Sequence, residues 1–212
     1  MDKRKRSGAR NAAGRTKKRS ASVNRRTSET DIRLTLGIDG RGTTSVSSGN
    51  GFMDHMLNLF GRHGLFDLKL TCKGDVQVDF HHSAEDIGIC LGQALSRALG
   101  ERRGIRRFGS AFVPMDESLA RVCCDLSGRP TLVYKVKLVD RVINDFECDL
   151  AHDFFKAVTD HAGLTLHVDL LRGRNSHHSL EAVFKAFGRA LCDACAIRPR
   201  AARDIPSTKG TL

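Results

Sequence analysis

Two segments of the chain, DFHHSAED at 79–86 and NSHHSLEA at 175–182, each place adjacent histidines ahead of a glutamate three residues on. A single histidine pair is an ordinary surface or core feature; the same HHSxE spacing written twice points to ligation. On a helix, His81 and Glu85 stand at i, i+4 and share a face, as do His177 and Glu181, so each pair can offer an imidazole nitrogen and a carboxylate to one ion. His82 and His178 are turned about 100° away, which suits a second ion or one shared with another subunit. Imidazole with carboxylate and no thiolate selects Mn, Fe, Zn or Co over a cysteine-rich structural zinc. A mixed His/Glu site usually leaves room for substrate or water, so the pattern favours catalysis over stapling.

The elements that position these residues are also written twice. DIRLTLGIDGRG predicts a strand and turn, FMDHMLNLFGRHG a helix, and LFDLKLTCKG with VQVDF a pair of strands around a turn at Lys73–Gly74. The helix carrying the first histidine pair follows, with an apolar stripe of Ile87, Leu91, Ala94, Leu95 and Ala98. In the second half SLARVCCDLSGRP, TLVYKVKLVDRV and LTLHVDLLRG predict strands, while LAHDFFKAVTDHAG and HHSLEAVFKAFGRAL predict helices. The order strand, strand, helix, strand, helix thus occurs twice. Laying the two histidine helices over one another matches both histidines, the serine, the glutamate, Gly92 with Gly188, Ala94 with Ala190 and Leu95 with Leu191, all offset by 96. Seven matches at one offset indicate an internal duplication.

Composition limits the classes available. The chain has 212 residues, 40% hydrophobic content and eleven Phe, which suits a globular protein. No apolar run approaches the roughly 18 residues of a membrane span, and no apolar segment follows the basic start as a secretory signal requires. The expected setting is intracellular, most simply cytoplasmic. The net charge of +11 is concentrated: residues 1–26 hold eleven Lys and Arg against Asp2, leaving 24 bases and 23 acids elsewhere. Residues 1–25 are therefore read as a disordered basic tail, with organelle or nuclear targeting as its alternative roles. The nearly neutral remainder argues against a nucleic-acid partner. Seven cysteines, an odd number without a secretory signal, are expected as reduced thiols. The single CxxC at Cys192 and Cys195 reads as small apolar helix residues.

Taken together, GFMDHML, DFHHSAEDIGICLGQAL, RFGSAFVPMDESL, DLSGRP, TLHVDLLRGRNSHHSLEAVFKAFGRAL and IPSTKGTL resemble the imidazoleglycerol-phosphate dehydratase family, a hydro-lyase family of histidine biosynthesis. The resemblance runs from about residue 26 to the C-terminus. It implies an α+β fold of two duplicated half-domains, each a four-stranded sheet with helices on one face, like the second domain of ribosomal protein S5. The expected boundaries are 26–120 for the first half and 121–212 for the second. It also implies a homo-oligomer of 24 subunits built from trimers, with two Mn2+ per active site held between subunits and a phosphorylated imidazole as the small-molecule substrate.

Carried over by position, the metal ligands implied are His55, His81, His82, Glu85, His177, His178 and Glu181. Glu29, in RRTSETDI, falls at the family's acid/base position, and Glu85 and Glu181 count with it among the catalytic carboxylates. Arg107, Arg129, Ser207, Thr208 and Lys209 match the phosphate clamp, where guanidinium, hydroxyl and ammonium donors meet phosphate oxygens. His55 and Lys185 match substrate contacts, although Lys185 also stands at i, i+4 from Glu181 as an ion-pair partner would. The chemistry implied is loss of hydroxide from the carbon next to the ring, driven by an imidazolate held between two metals through a diazafulvene-like species, to give imidazoleacetol phosphate. One position departs from the pattern: where relatives carry a further metal-associated histidine this chain has Asp153, with His152 one place earlier. Helical register favours Asp153.

Overall fold

The computed structural model describes residues 18–211. The first half runs β1 (Ser20–Arg26), β2 (Thr30–Gly37), β3 (Thr44–Ser47), α1 (Gly51–Gly64), β4 (Asp67–Gly74) and α2 (His81–Leu99). The second runs β5 (Phe108–Met115), β6 (Ser118–Asp125), β7 (Thr131–Lys135), a short hairpin of β8 (Val142–Ile143) and β9 (Phe146–Glu147), α3 (Leu150–Ala162), β10 (Thr165–Arg172) and α4 (Ser176–Cys195). The two main sheets have the same topology, β1-β2-β4-β3 and β5-β6-β10-β7. In each the first three strands are antiparallel and the last is parallel to its neighbour. The expected α+β duplication is thus present strand for strand.

Four expectations need correction. The tail does not extend to residue 25: Ser20–Arg26 pairs with β2 along its whole length, and Val23 is 2% exposed in the core. One buried valine in a basic segment is too weak a hydrophobic pattern to reveal an edge strand whose stability comes from its ladder. The rest of that tail, residues 1–17, lies outside the described residues. Second, the halves divide between Leu99 and Phe108 rather than at residue 120, because β5 and β6 belong to the second sheet. Third, residues 76–80 form no strand; after Gly74 the chain turns, with Val78 N–H donating to Asp75 O, and Val76 and Val78 stay exposed. Their alternation had no partner strand to satisfy it. Fourth, the strand read across TLVYKVKLVDRV stops at Lys135, where pairing with β10 ends.

Each half buries one face of its sheet beneath its own helices, and the two helix layers then pack on one another, α1 against α4 and α2 against α3. Phe60, Phe66, Phe154, Phe155, Phe184 and Phe187 form an aromatic centre between them, with stacked, tilted and edge-on ring pairs. The duplicated glycines explain the close approach. A Cβ on Gly92 would sit 2.7 Å from Val158 O, and one on Gly188 2.5 Å from Phe60 O, so any side chain would force the crossing helices apart. This cross-pairing is what brings helix ends from different halves together. The seven cysteines are free, with Cys195 buried on α4, and no described helix is long and apolar enough to cross a membrane.

Candidate functional site

At one end of the α1–α4 pair, His55 Nε2 lies 2.8 Å from Glu181 Oε1, and His177 Nε2 lies 3.2 Å from the same oxygen. One ligand atom from each of the three residues falls within 4.8 Å of the others. Local sequence sets this up. Asn50 caps α1 by accepting from Met53 N–H, and Asn175 caps α4 by accepting from His177 and His178 N–H, so both helices begin just before their ligands. Glu181 is 7% exposed, and its second oxygen binds Lys185 Nζ. Burial by itself works to raise the Glu181 carboxyl, but hydrogen bonds from Lys185 and His55 outweigh it and bring it down to about 2. Two imidazoles and a carboxylate ionised at neutral pH, at this spacing, fit a divalent cation with borderline ligand preference, and three protein ligands leave positions open.

The α2–α3 pair carries the counterpart. His81 Nδ1 lies 3.6 Å from Asp153 Oδ2, and Glu85 stands one turn beyond His81, exposed. The offset between the halves is 98 both at β4 and β10 and at the left-handed helix caps Leu65 and Gly163, which makes Asp153 the structural equivalent of His55. Of the neighbouring pair, Asp153 is thus the one that faces His81. His152 instead places its ring edge-on to Tyr134 at 5.5 Å and its Nδ1 3.1 Å from Asp153 Oδ1. Phe146 of the β8–β9 hairpin packs on both Phe52 and Phe80, joining the two clusters at the same end of the helix layer.

His82 and His178 diverge from these clusters as the helical angle requires. His82 Nδ1 meets Asp75 Oδ2 at 3.0 Å, and its Nε2 stands 3.8 Å from Glu29 Oε1. His178 Nδ1 meets Glu117 Oε2 at 2.9 Å. The hydrogen bond to Asp75 raises the His82 pKa, and that to Glu117 raises the His178 pKa. His178 and the backbone N–H groups of Asn175 and Arg174 hold Glu117 well below the usual carboxylate range. Glu29 sits in a short loop fastened by Thr27, whose Oγ1 accepts from the N–H groups of Glu29 and Thr30. Thr30 Oγ1 and the Arg25 guanidinium both bind the buried Asp86 on α2, so this loop is tied to the helix that carries His81 and Glu85.

Asp75, Asp86 and Glu117 escaped the sequence reading. For Glu117 a signal existed: it immediately precedes β6 as Glu29 precedes β2, at an offset of 88, but that offset appears only once the strand bounds are known. Lys185 is engaged by Glu181 and lies 3.1 Å from Met115 Sδ, with its side chain 13% exposed, so the ion-pair reading is the one the geometry displays.

The clamp residues gather elsewhere. Arg107 forks onto Asp125, Nε–Oδ1 2.7 Å and Nη2–Oδ2 3.1 Å, and its Nη1 donates to Pro206 O at 2.9 Å, drawing in the segment with Ser207, Thr208 and Lys209. Arg129 reaches over the same Asp125 at 3.9 Å and is 66% exposed. Asp125 ends β6, whereas Glu117, beside His178, precedes its first residue. At about 3.3 Å per residue the strand separates them by roughly 25 Å. The structure therefore brings together each histidine cluster and, separately, the clamp, but does not join clamp and clusters within one chain.

Comparison with known proteins agrees with this architecture. A family model described as imidazoleglycerol-phosphate dehydratase matches residues 48–191. Proteins of that name from Pelobacter propionicus and Heliobacterium modesticaldum are 56% and 53% identical to this chain over 194 residues, covering 92% of it and 99% and 100% of theirs. Among solved structures, the enzyme of that name from Staphylococcus aureus has a TM-score of 0.77 at 38% identity, covering 84% of this chain and 99% of its own. The Pyrococcus furiosus structure, a complex with (S)-C348, has a TM-score of 0.77 at 33% identity, covering 90% and 100%.

Proposed function

The chain belongs to the imidazoleglycerol-phosphate dehydratase family, hydro-lyases of histidine biosynthesis, and from that premise we propose that it dehydrates imidazoleglycerol phosphate to imidazoleacetol phosphate with two Mn2+ per site. The observation that carries this is the convergence of His55, His177 and Glu181 across two halves of the fold, echoed by His81 and Asp153. The ligands for one ion would be His55, His177 and Glu181, and for the other His81, Glu85 and Asp153, with His82 and His178 available to complete either set. When bound, the ions would act as Lewis acids that favour loss of the substrate ring's N–H proton, and the ring's own electrons would then assist departure of the neighbouring hydroxyl.

The protein's own groups do the remaining work. Glu29, exposed and beside His82, is placed to take or return a proton at the substrate's carbon chain. Its loop is held by Asp86, so the carboxylate is presented without closing the site. Arg129, with Ser207, Thr208 and Lys209, anchors the phosphate, while Arg107 positions that segment through Pro206. Because the clamp and the His178–Glu117 pair of one chain lie at opposite ends of β6, roughly 25 Å apart, a small substrate that meets both draws them from different subunits. That supports an active site shared in a homo-oligomer, consistent with the 24-subunit assembly the resemblance implies.

The direct test is product identification from imidazoleglycerol phosphate, with metal-stripped protein before and after Mn2+ is restored. Activity absent in the stripped protein and regained with Mn2+ is expected; full turnover by protein shown to be metal-free overturns the reading.

A further inference from the structure

The duplication placed a glutamate twice, Glu29 ahead of β2 and Glu117 ahead of β6, yet the two stand in different surroundings. Glu117 accepts from the backbone N–H groups of Asn175 at 2.8 Å and Arg174 at 3.2 Å and contacts His178 Nδ1 at 2.9 Å. Glu29 stands off at 3.8 Å from His82 Nε2, while the Nδ1 side of that ring is taken by Asp75 at 3.0 Å. Asp75 follows Gly74; after the bulge at Leu170–Arg172 in β10 the corresponding glycine is Gly173, which faces Ser179 as Gly74 faces Ser83, and the residue after it is Arg174, which has no carboxylate to give. The two histidines are thus each held by a carboxylate, but from non-equivalent places in the repeat.

We propose that Asp75 and Glu117 are positioning residues that fix the rings and tautomers of His82 and His178, and that Asp75, by occupying His82, leaves Glu29 as the one member of the duplicated pair free to meet substrate. This rests on reading His82 and His178 as metal ligands. An ionised carboxylate only accepts hydrogen bonds, so the proton at each contact belongs to Nδ1. In the neutral ring the lone pair is then at Nε2, on the far side from Asp75 in His82 and from Glu117 in His178. Among the described residues, His178 Nε2 has no hydrogen-bond or ion-pair partner. Carboxylate support of this kind fixes ligand orientation, and its loss costs about 10–100-fold in metal affinity. Glu117 has an additional hold on the first residues of α4 through Arg174 and Asn175 N–H, so it sets the helix start and the ring together.

The test uses the full-length chain, labelled with 15N-histidine, in magic-angle-spinning NMR without metal, and Mn2+ titration of the same samples. His82 and His178 signals are identified by difference from His82→Ala and His178→Ala. In the parent protein both neutral rings should carry the proton on Nδ1. Glu117→Ala should redistribute it on His178 alone and weaken Mn2+ binding about 10–100-fold; Asp75→Ala should do the same at His82. Glu117→Gln and Asp75→Asn keep an acceptor oxygen and should retain the Nδ1 proton and most of the affinity, which also guards against misfolding of the alanine variants. An unchanged tautomer, or unchanged affinity in both alanine variants, overturns the positioning role. Unchanged affinity in His82→Ala and His178→Ala themselves overturns instead the ligand reading on which it rests.

Discussion

The cluster of His55, His177 and Glu181 and its counterpart of Asp153, His81 and Glu85 occupy equivalent places in two copies of one topology, yet only the former is drawn tight. Two substitutions account for the difference. Lys185 clamps Glu181 from one turn along α4, whereas the equivalent residue on α2 is Ile89, so Glu85 stays exposed without such a partner. The facing helix supplies an imidazole at His55 but the shorter carboxylate of Asp153 on the other side. A duplicated motif thus guarantees the ligands but not their consolidation, which depends on residues one turn away and one helix across.

The widest break in this comparison should come from the two glutamates. Glu181→Ala leaves the Lys185 ammonium, 13% exposed, without its carboxylate, and truncating one partner of a buried pair costs about 3–5 kcal/mol. Glu85→Ala at an exposed position should stay within about 0.5 kcal/mol. Denaturant melts of the metal-free proteins measure both; equal losses would mean that the two clusters are structurally alike after all.

Next comes the facing helix. Asp153→Ala should lower Mn2+ content or turnover about tenfold, in the range for a lost metal-site group, and more than His152→Ala, whose ring is turned toward Tyr134. A larger loss in His152→Ala, seen by metal analysis and kinetics, would show that α3 presents its other face. Asp153→His, which copies His55, should bring the looser cluster closer to its twin in Mn2+ affinity.

Acid should separate the halves too. Glu181 titrates near 2 in the folded protein against an ordinary value of 4.5. Its contribution to stability is therefore complete above about 4.5 and is lost as pH falls toward 2, because the unfolded chain binds the proton first. Melting of the metal-free protein across this window should be less pH-dependent in Glu181→Gln. Identical pH profiles would contradict the ionised, paired state.

The smallest contrast lies at the far end of β6. Arg129→Ala, with its exposed side chain, should leave stability within about 0.5 kcal/mol while raising KM for substrate. Arg107→Ala should instead destabilise by about 1–3 kcal/mol, since Asp125 loses its fork and Pro206 O its donor. An unchanged KM and rate in Arg129→Ala would remove that residue from the clamp.

Much of the helical half of the fold was legible, because buried stripes such as Leu180, Phe184, Phe187 and Leu191 repeat with the helical period. The edge strands were not. β1 contributes one fully buried residue, Val23, and β5 alternates exposed and half-buried positions, so neither shows the apolar rhythm of a central strand. The candidate ligands at 81, 82, 85, 177, 178 and 181 were legible for a different reason: their spacing is local to a single helix.

What the sequence by itself determined is whatever depends on near neighbours: the duplicated HHSxE motif, the shared helix face of each His–Glu pair, the divergence of His82 and His178, and the family pattern that these belong to. Only the tertiary structure decided which residues answer them across the gap. His55 meets Glu181, Asp153 meets His81, Asp75 holds His82 and Glu117 holds His178 at sequence separations from 7 to 126. Those partnerships follow from glycine-permitted crossing of α1 on α4 and α2 on α3, and from strand registers set by hydrogen-bond ladders. Such long-range geometry has no periodic trace in the chain, because its cause is the packing of one half of the molecule against the other.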